Sequence, residues 1–152
     1  MTSGPSPRLL LDTGIVIGLT RNDAVGRSVT ARYSLTADRE PPLICAVSLG
    51  EAIALAARYN WGDEKRDRLI ELFRRLPVVN IESGPVVNEY ALLANHVRER
   101  GTPIGQNDLW IAAAASATRS VLVTTDNDFD RLPDGRPLRQ WVDPKSGTFR
   151  GS

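Results

Sequence analysis

The chain has 152 residues, 41% of them hydrophobic, which suits one globular domain with a sizeable core. A net charge of +1 removes the bulk electrostatic pull towards nucleic acid or membrane that strongly basic proteins carry. One cysteine, Cys45, excludes an internal disulfide, and one histidine, His96, argues against a zinc site.

In chain order, residues 1–7 are polar, carry two prolines and read as a flexible tail without the apolar core of a signal peptide. The run Leu9-Leu10-Leu11 predicts a strand over 8–12, closed by Asp12. A short helix follows through Ile15, Val16, Ile17 and Leu19, and a second is expected over 23–39. Pro41-Pro42 breaks the chain before a strand over 43–47, in which Cys45 reads as buried and inert.

Helices are predicted over 48–60 and 63–76, with Trp61-Gly62 as the bend between them. Leu69, Leu72, Phe73 and Leu76 share one face of the second. A strand over 77–81 precedes a helix over 83–100, with Val87, Tyr90, Leu93, Ala94 and Val97 inward and Gly101 as its stop. An Ala-rich helix opens at Asp108, strands follow over 121–125 and 138–142, and 143–152 reads as a second flexible tail. This alternation predicts one α/β domain over 8–142, a central parallel sheet flanked by helices on both faces. No segment approaches the ~20 apolar residues of a membrane span, so a cytoplasmic protein is expected.

Four carboxylates stand where elements begin or end. Asp12 follows the first strand and Asp126 follows Val121-Leu122-Val123-Thr124-Thr125, while Glu51 and Asp108 open helical runs. Each has a local reading. Asp12 can cap the next helix, and Ser48-Leu49-Gly50-Glu51 fits a capping box. Asp108, one residue after the expected cap Asn107, suits the positive helix end. Asp126, Asp128 and Asp130 suit a turn, and Arg131 and Pro137 replace the glycine and glutamate that an EF-hand loop needs. Together, acids at strand ends and helix starts converge at one edge of a parallel sheet, where α/β folds place their sites. Such a cluster suits a hard divalent cation such as Mg²⁺.

Four segments carry a family resemblance over about residues 8–142: Leu11-Asp12-Thr13-Gly14, Ser48-Leu49-Gly50-Glu51, Gln106-Asn107-Asp108-Leu109-Trp110-Ile111-Ala112-Ala113 and Val123-Thr124-Thr125-Asp126-Asn127-Asp128-Phe129. In this order the chain resembles PIN-domain ribonucleases, and most of all the VapC toxins of toxin–antitoxin pairs. The resemblance implies a PIN-like three-layer fold whose acidic pocket holds Mg²⁺ or Mn²⁺ and hydrolyses RNA. It matches Asp12, Glu51, Asp108 and Asp126 to the family's acidic positions, with Asp128 in reserve for Asp126. It also implies a VapB-like antitoxin that covers the pocket, and a homodimer. Gly14 departs from the family's frequent asparagine.

The mechanism expected on this basis has Asp12, Asp108 and Asp126 holding the metal while Glu51 orients or deprotonates a water. Thr13 and Thr125 are candidate supporting hydroxyls. Arg98, Arg100, Arg119, Arg131 and Arg136 are candidates for phosphate contact, and Trp110 for stacking on a base or for the core. Leu55, Trp61, Leu69 and Phe73 suit either an antitoxin-binding face or internal packing. The alternatives are a PIN-domain RNA-processing nuclease without an antitoxin, and a non-catalytic α/β module whose acids are all caps. A phosphatase with Asp12 as nucleophile lacks the usual second acid, because Gly14 occupies its place.

Overall fold

Strand β1 (Leu9–Leu11) runs straight into helix α1 (Thr13–Arg21), which is followed by α2 (Ala24–Tyr33). The computed structural model describes residues 7–35 and 40–151. The tail expected over 1–7, except for Pro7, and the end of the helix expected over 23–39 lie outside the described residues. Within them α2 stops at Tyr33, where Ser34 takes a left-handed conformation as the C-cap.

The chain continues through β2 (Leu43–Cys45), α3 (Ala46–Arg58), α4 (Asp63–Arg75), β3 (Val78–Val79), α5 (Gly84–Arg100), α6 (Gln106–Ala117), β4 (Val121–Thr124) and β5 (Leu138–Trp141). A 3-10 turn, Asn127–Arg131, lies between the last two strands. All strand pairs are parallel, in the order β3-β2-β1-β4-β5. The expected α/β architecture is therefore the one observed.

Alternation along the strands divides the interior in two. Leu9, Leu11, Ile44 and Val123 face one core, filled by Ile15, Val16, Val25, Val29, Ala52, Ala56 and Leu69 from α1 to α4. Leu10, Cys45 and Leu122 face the other, filled by Val86, Leu93 and Val97 of α5 and by the buried stretch Ile111-Ala112-Ala113-Ala114-Ala115 of α6. Cys45 is fully buried, as its segment predicts. On α5 the inward residue is Val86, whereas Val87 faces solvent, because Ser83 caps the helix and sets its rotation.

Two helix starts differ from expectation. Helix α3 begins at Ala46, directly off the strand, so Cys45 stands at its N-cap and Glu51 lies in the second turn. The capping box does not form, since Ser48 is already inside the helix. Likewise α6 begins at Gln106 with Gly105 at the cap; Asn107 is helical and Asp108 sits in the first turn.

The segment after Val142, read as a loose tail, packs on the domain. Val142 pairs with Phe149 in an antiparallel bridge, and Phe149 is buried edge-to-face against Tyr33 at 5.9 Å. The reason is a tight turn: Asp143 Oδ1 accepts the amides of Lys145 and Ser146, and Gly147 takes φ +74°.

Helices α1 and α2 touch through glycine. A Cβ on Gly26 would lie 2.2 Å from the Gly18 carbonyl oxygen, a contact that only backbone movement relieves. Gly26→Ala is expected to destabilise the fold by about 1–3 kcal/mol through overpacking, read by denaturant unfolding. An unchanged midpoint would refute the close approach.

Candidate functional site: an acidic cleft at the switch point

The chain order makes the site's position a topological matter. From β1 the sheet grows outward through β2 and β3, then the chain returns to place β4 on the other side of β1. The crevice between the C-terminal ends of β1 and β4 is the switch point, where open α/β sheets bind ligands. Asp12 leaves β1 there and Asp126 leaves β4 there. An open cleft of about 570 Å³ is lined by Asp12, Glu51, Asp108 and Asp126, together with Thr13, Gly14, Leu55, Arg58, Asn107 and Thr125. All four acids expected from the sequence therefore meet in one cleft.

Asp12 is buried and held at both oxygens. Its Oδ1 accepts the Thr13 amide at 2.8 Å, which makes it the N-cap of α1, and its Oδ2 accepts the Thr124 hydroxyl at 2.6 Å. The same Thr124 oxygen accepts the Asp126 amide at 3.0 Å, so one hydroxyl links two of the acids. Asp126 in turn caps the 3-10 turn, accepting the Asp128 amide at 2.8 Å.

Glu51 is held at both oxygens as well. Thr13 Oγ1 donates to its Oε1 at 2.7 Å and lies 3.0 Å from Ser48 Oγ, while Asn107 Nδ2 donates to Oε2 at 3.3 Å. Thr13 thus has the supporting position expected of it, and Asn107, expected as a cap, reaches across to Glu51 instead. Asp108, Asp126 and Asp128 each bring a carboxylate oxygen within 4.8 Å of the other two. Asp128, the reserve candidate for Asp126, groups with Asp108 and Asp126, and Asp12 lines the cleft with those two.

The crowding has an electrostatic signature. Burial pushes Asp12 up to about 6, against the lowering hydrogen bonds from Thr124 and Thr13, with Glu51 and Asp126 adding to the rise. Asp108 is pushed up to about 7, by burial first and then by the charges of Asp12, Asp126, Glu51 and Asp128. Arg131 lies 3.4 Å from Asp128, and Arg58 is the one cation among the residues that line the cleft. An all-oxygen donor set with converging carboxylates that resist ionisation together fits a hard divalent cation.

Of the arginines named from sequence, Arg131 lies 3.4 Å from Asp128, and none lines the cleft. Arg98, Arg100, Arg119, Arg131 and Arg136 are absent from the cleft lining. Arg131 donates to the Pro103 carbonyl, and Arg136 grips Glu89 through two bonds, at 2.8 and 3.2 Å. Trp110 stacks on Tyr90 at 3.8 Å against the second core, its structural role. Trp61 and Leu69 are buried in the first core with Leu55 and Phe73 packed on it, so internal packing is the role the structure gives that set.

Sequence reading also missed a fastening of the acid-bearing turn. Arg150 donates to Asn127 Oδ1 at 2.5 Å and to Asp130 at 2.8 Å, and its guanidinium lies 4.6 Å over the Trp141 ring. Trp141 Nε1 donates to the Thr125 carbonyl at 3.1 Å. The strap that buries Phe149 therefore also ties down the turn carrying Asp126 and Asp128. Only the arginine itself signalled this in the sequence.

A protein-family model of the PIN domain matches residues 9–135. The chain is 30% identical to Ribonuclease VapC1 of Haemophilus influenzae over 135 residues, covering 88% of this chain and 96% of that protein. VapBC-1 from nontypeable Haemophilus influenzae is similar in structure, with a TM-score of 0.69 at 27% identity, over 90% of this chain and 97% of the other. A toxin–antitoxin complex from Klebsiella pneumoniae gives a TM-score of 0.61 at 26% identity over the same shares.

Two outcomes are expected from this geometry. Because Asp12 and Asp108 hold protons more tightly folded than unfolded, their contribution to stability is full below about pH 4 and is lost as pH rises through 6 and 7. In chelator, Asp108→Asn should therefore melt above the parent at pH 8, with the gap closing towards pH 4. A gap independent of pH would contradict the crowding. Arg150→Ala should speed amide exchange over 127–131 and weaken Mn²⁺ binding about 10-fold, whereas unchanged exchange would show that the strap fastens nothing.

Proposed function

The chain belongs to the PIN-domain family, and from that footing we propose that it is an endoribonuclease dependent on Mg²⁺ or Mn²⁺, the toxin of a toxin–antitoxin pair. The observation that carries the reading is the convergence of Asp12, Glu51, Asp108 and Asp126 on the switch-point cleft, two of them with raised proton affinity. Likeness to a ribonuclease and to VapBC and toxin–antitoxin structures supports RNA as the substrate and a VapB-like antitoxin as the partner. No helix among the described residues is long and apolar enough to cross a membrane, in keeping with action in the cytoplasm.

Asp108 and Asp126 would hold the cation with Asp128, whose carboxylate lies within 4.8 Å of theirs, and Asp12 would join them from the same cleft. When bound, a divalent cation supplies acidified water and neutralises charge on the phosphoryl oxygens. The protein's share is positional and protonic. Glu51, fixed between Thr13 and Asn107, accepts a proton from the water that attacks phosphorus. Asp12, pinned by Thr13 and Thr124, keeps the cluster's spacing. The 3-10 turn sets the approach of Asp126 and Asp128, and the Thr124 hydroxyl sets how far they stand from Asp12.

Labelled RNA incubated with Mg²⁺ or Mn²⁺ tests this directly. The parent should cut it, EDTA should stop the reaction, and Asp12→Asn or Asp108→Asn should slow it by about 100-fold or more. Cleavage that persists through both chelation and substitution would rule the mechanism out.

A further inference from the structure

We propose that the C-terminal end of α3 is the landing strip for the RNA backbone beside the cleft, with Arg58 and Arg21 as its two phosphate contacts. The inference rests on the ribonuclease reading and names the part of the site that holds the polyanion.

The first observation is the wall of the cleft itself. Glu51, Ala54, Leu55 and Arg58 line it together. Their spacing places them on one face of α3, the face turned to the acids. At 1.5 Å per residue, Arg58 stands about 10 Å along the axis from Glu51, beyond the reacting centre and on the same wall. An acidic cleft repels a phosphodiester chain, so substrate must be held by positive charge at its rim. Arg58 is the only cation among the lining residues.

The second observation is what these side chains do not do. Arg8, Arg74, Arg131, Arg136, Arg139 and Arg150 all form ion pairs. Arg58 forms neither an ion pair nor a hydrogen bond among the described residues, and its side chain is exposed. A last-turn arginine gains from the helix dipole in any direction, so that gain does not explain why it faces the cleft. Its five donors are free for the bidentate grip that suits a phosphate.

The third observation extends the strip. Tyr59, next in sequence and exposed, lies beneath Arg21, whose guanidinium is 4.6 Å from the ring centroid and 5.7 Å from that of Trp61. The rings hold the guanidinium by its face. Its in-plane N–H groups stay open, and Arg21 has no ion pair among the described residues. Arg58, the last residue of α3, and the guanidinium over its neighbour Tyr59 are thus two cations without an ion pair among the described residues at the C-terminal end of that helix.

The test measures RNA binding and cleavage against salt for the parent, Arg58→Ala, Arg21→Ala, the double variant and Arg58→Lys. Binding is read without cleavage in EDTA and, separately, as KM in Mn²⁺. Each alanine variant should lower the slope of log K against log salt by about 0.7, the double by about 1.4, as expected for one phosphate contact each on a single strand. Arg58→Ala should raise KM about ten-fold with kcat within two-fold of the parent, as for loss of one charge-assisted hydrogen bond. Arg58→Lys should recover the slope, since it keeps the charge, but only part of KM. Mn²⁺ affinity and melting temperature should match the parent throughout.

Unchanged slope and KM in Arg58→Ala would overturn the proposal. So would a loss confined to kcat or to Mn²⁺ affinity, which would make Arg58 part of the acidic centre instead. If the parent cuts no RNA at all, the ribonuclease reading falls alone, and the salt slope of binding decides the strip.

Discussion

A single hydroxyl spans the site. Thr124 at the end of β4 donates to the buried Asp12 at the end of β1, across 112 residues of chain, and accepts the amide of Asp126. The Asp12 amide also donates to the Val123 carbonyl, so the exit from β1 is tied to β4 by backbone as well. Neither bond can exist unless β1 and β4 are parallel neighbours in register, Leu11 beside Val123. The strand order makes them so. Every acid then inherits its place from that pair: Asp126 through Thr124, Glu51 through the hydroxyl of Thr13 next to Asp12, and Asp108 through a helix pressed on the same sheet.

That pressing is a matter of side-chain size. Ala112 to Ala115 are fully buried on α6, and small residues let the helix axis approach the strands. The approach removes water from Asp108 and brings it under the charges of the other acids, the two causes of its raised proton affinity. The site therefore works against the fold at neutral pH, and the stability that offsets it comes from the two apolar cores on either side of the sheet. A crowded carboxylate cluster is also what would give a divalent cation differential affinity for the folded state.

The acids do local and distant work at once. Asp12 caps α1 and Asp126 caps the 3-10 turn, so capping is the device that aims them into the cleft. Glu51 and Asp108 reach it differently. Their helices start two residues earlier than the local sequence suggests, because β2 passes into α3 without a loop and Gly105 opens α6. A serine three residues after a strand looks like a cap only while the end of the strand is unknown.

What the sequence alone determined is what short-range physics writes into it: apolar runs for a covered parallel sheet, helical spacing for the amphipathic helices, and acids at element ends whose order marks the family. Hydrophobic periodicity and capping act over a few residues, and a few residues suffice to read them. Tertiary structure decided the rest, because the deciding contacts join residues far apart in the chain. It moved Asp128 into the closest carboxylate group and placed Arg58, not the arginines named for phosphate contact, on the cleft wall. It turned a polar tail into a strap, since the burial of Phe149 and the grip of Arg150 on Asn127 and Asp130 depend on surfaces that exist only once β4 and β5 have paired.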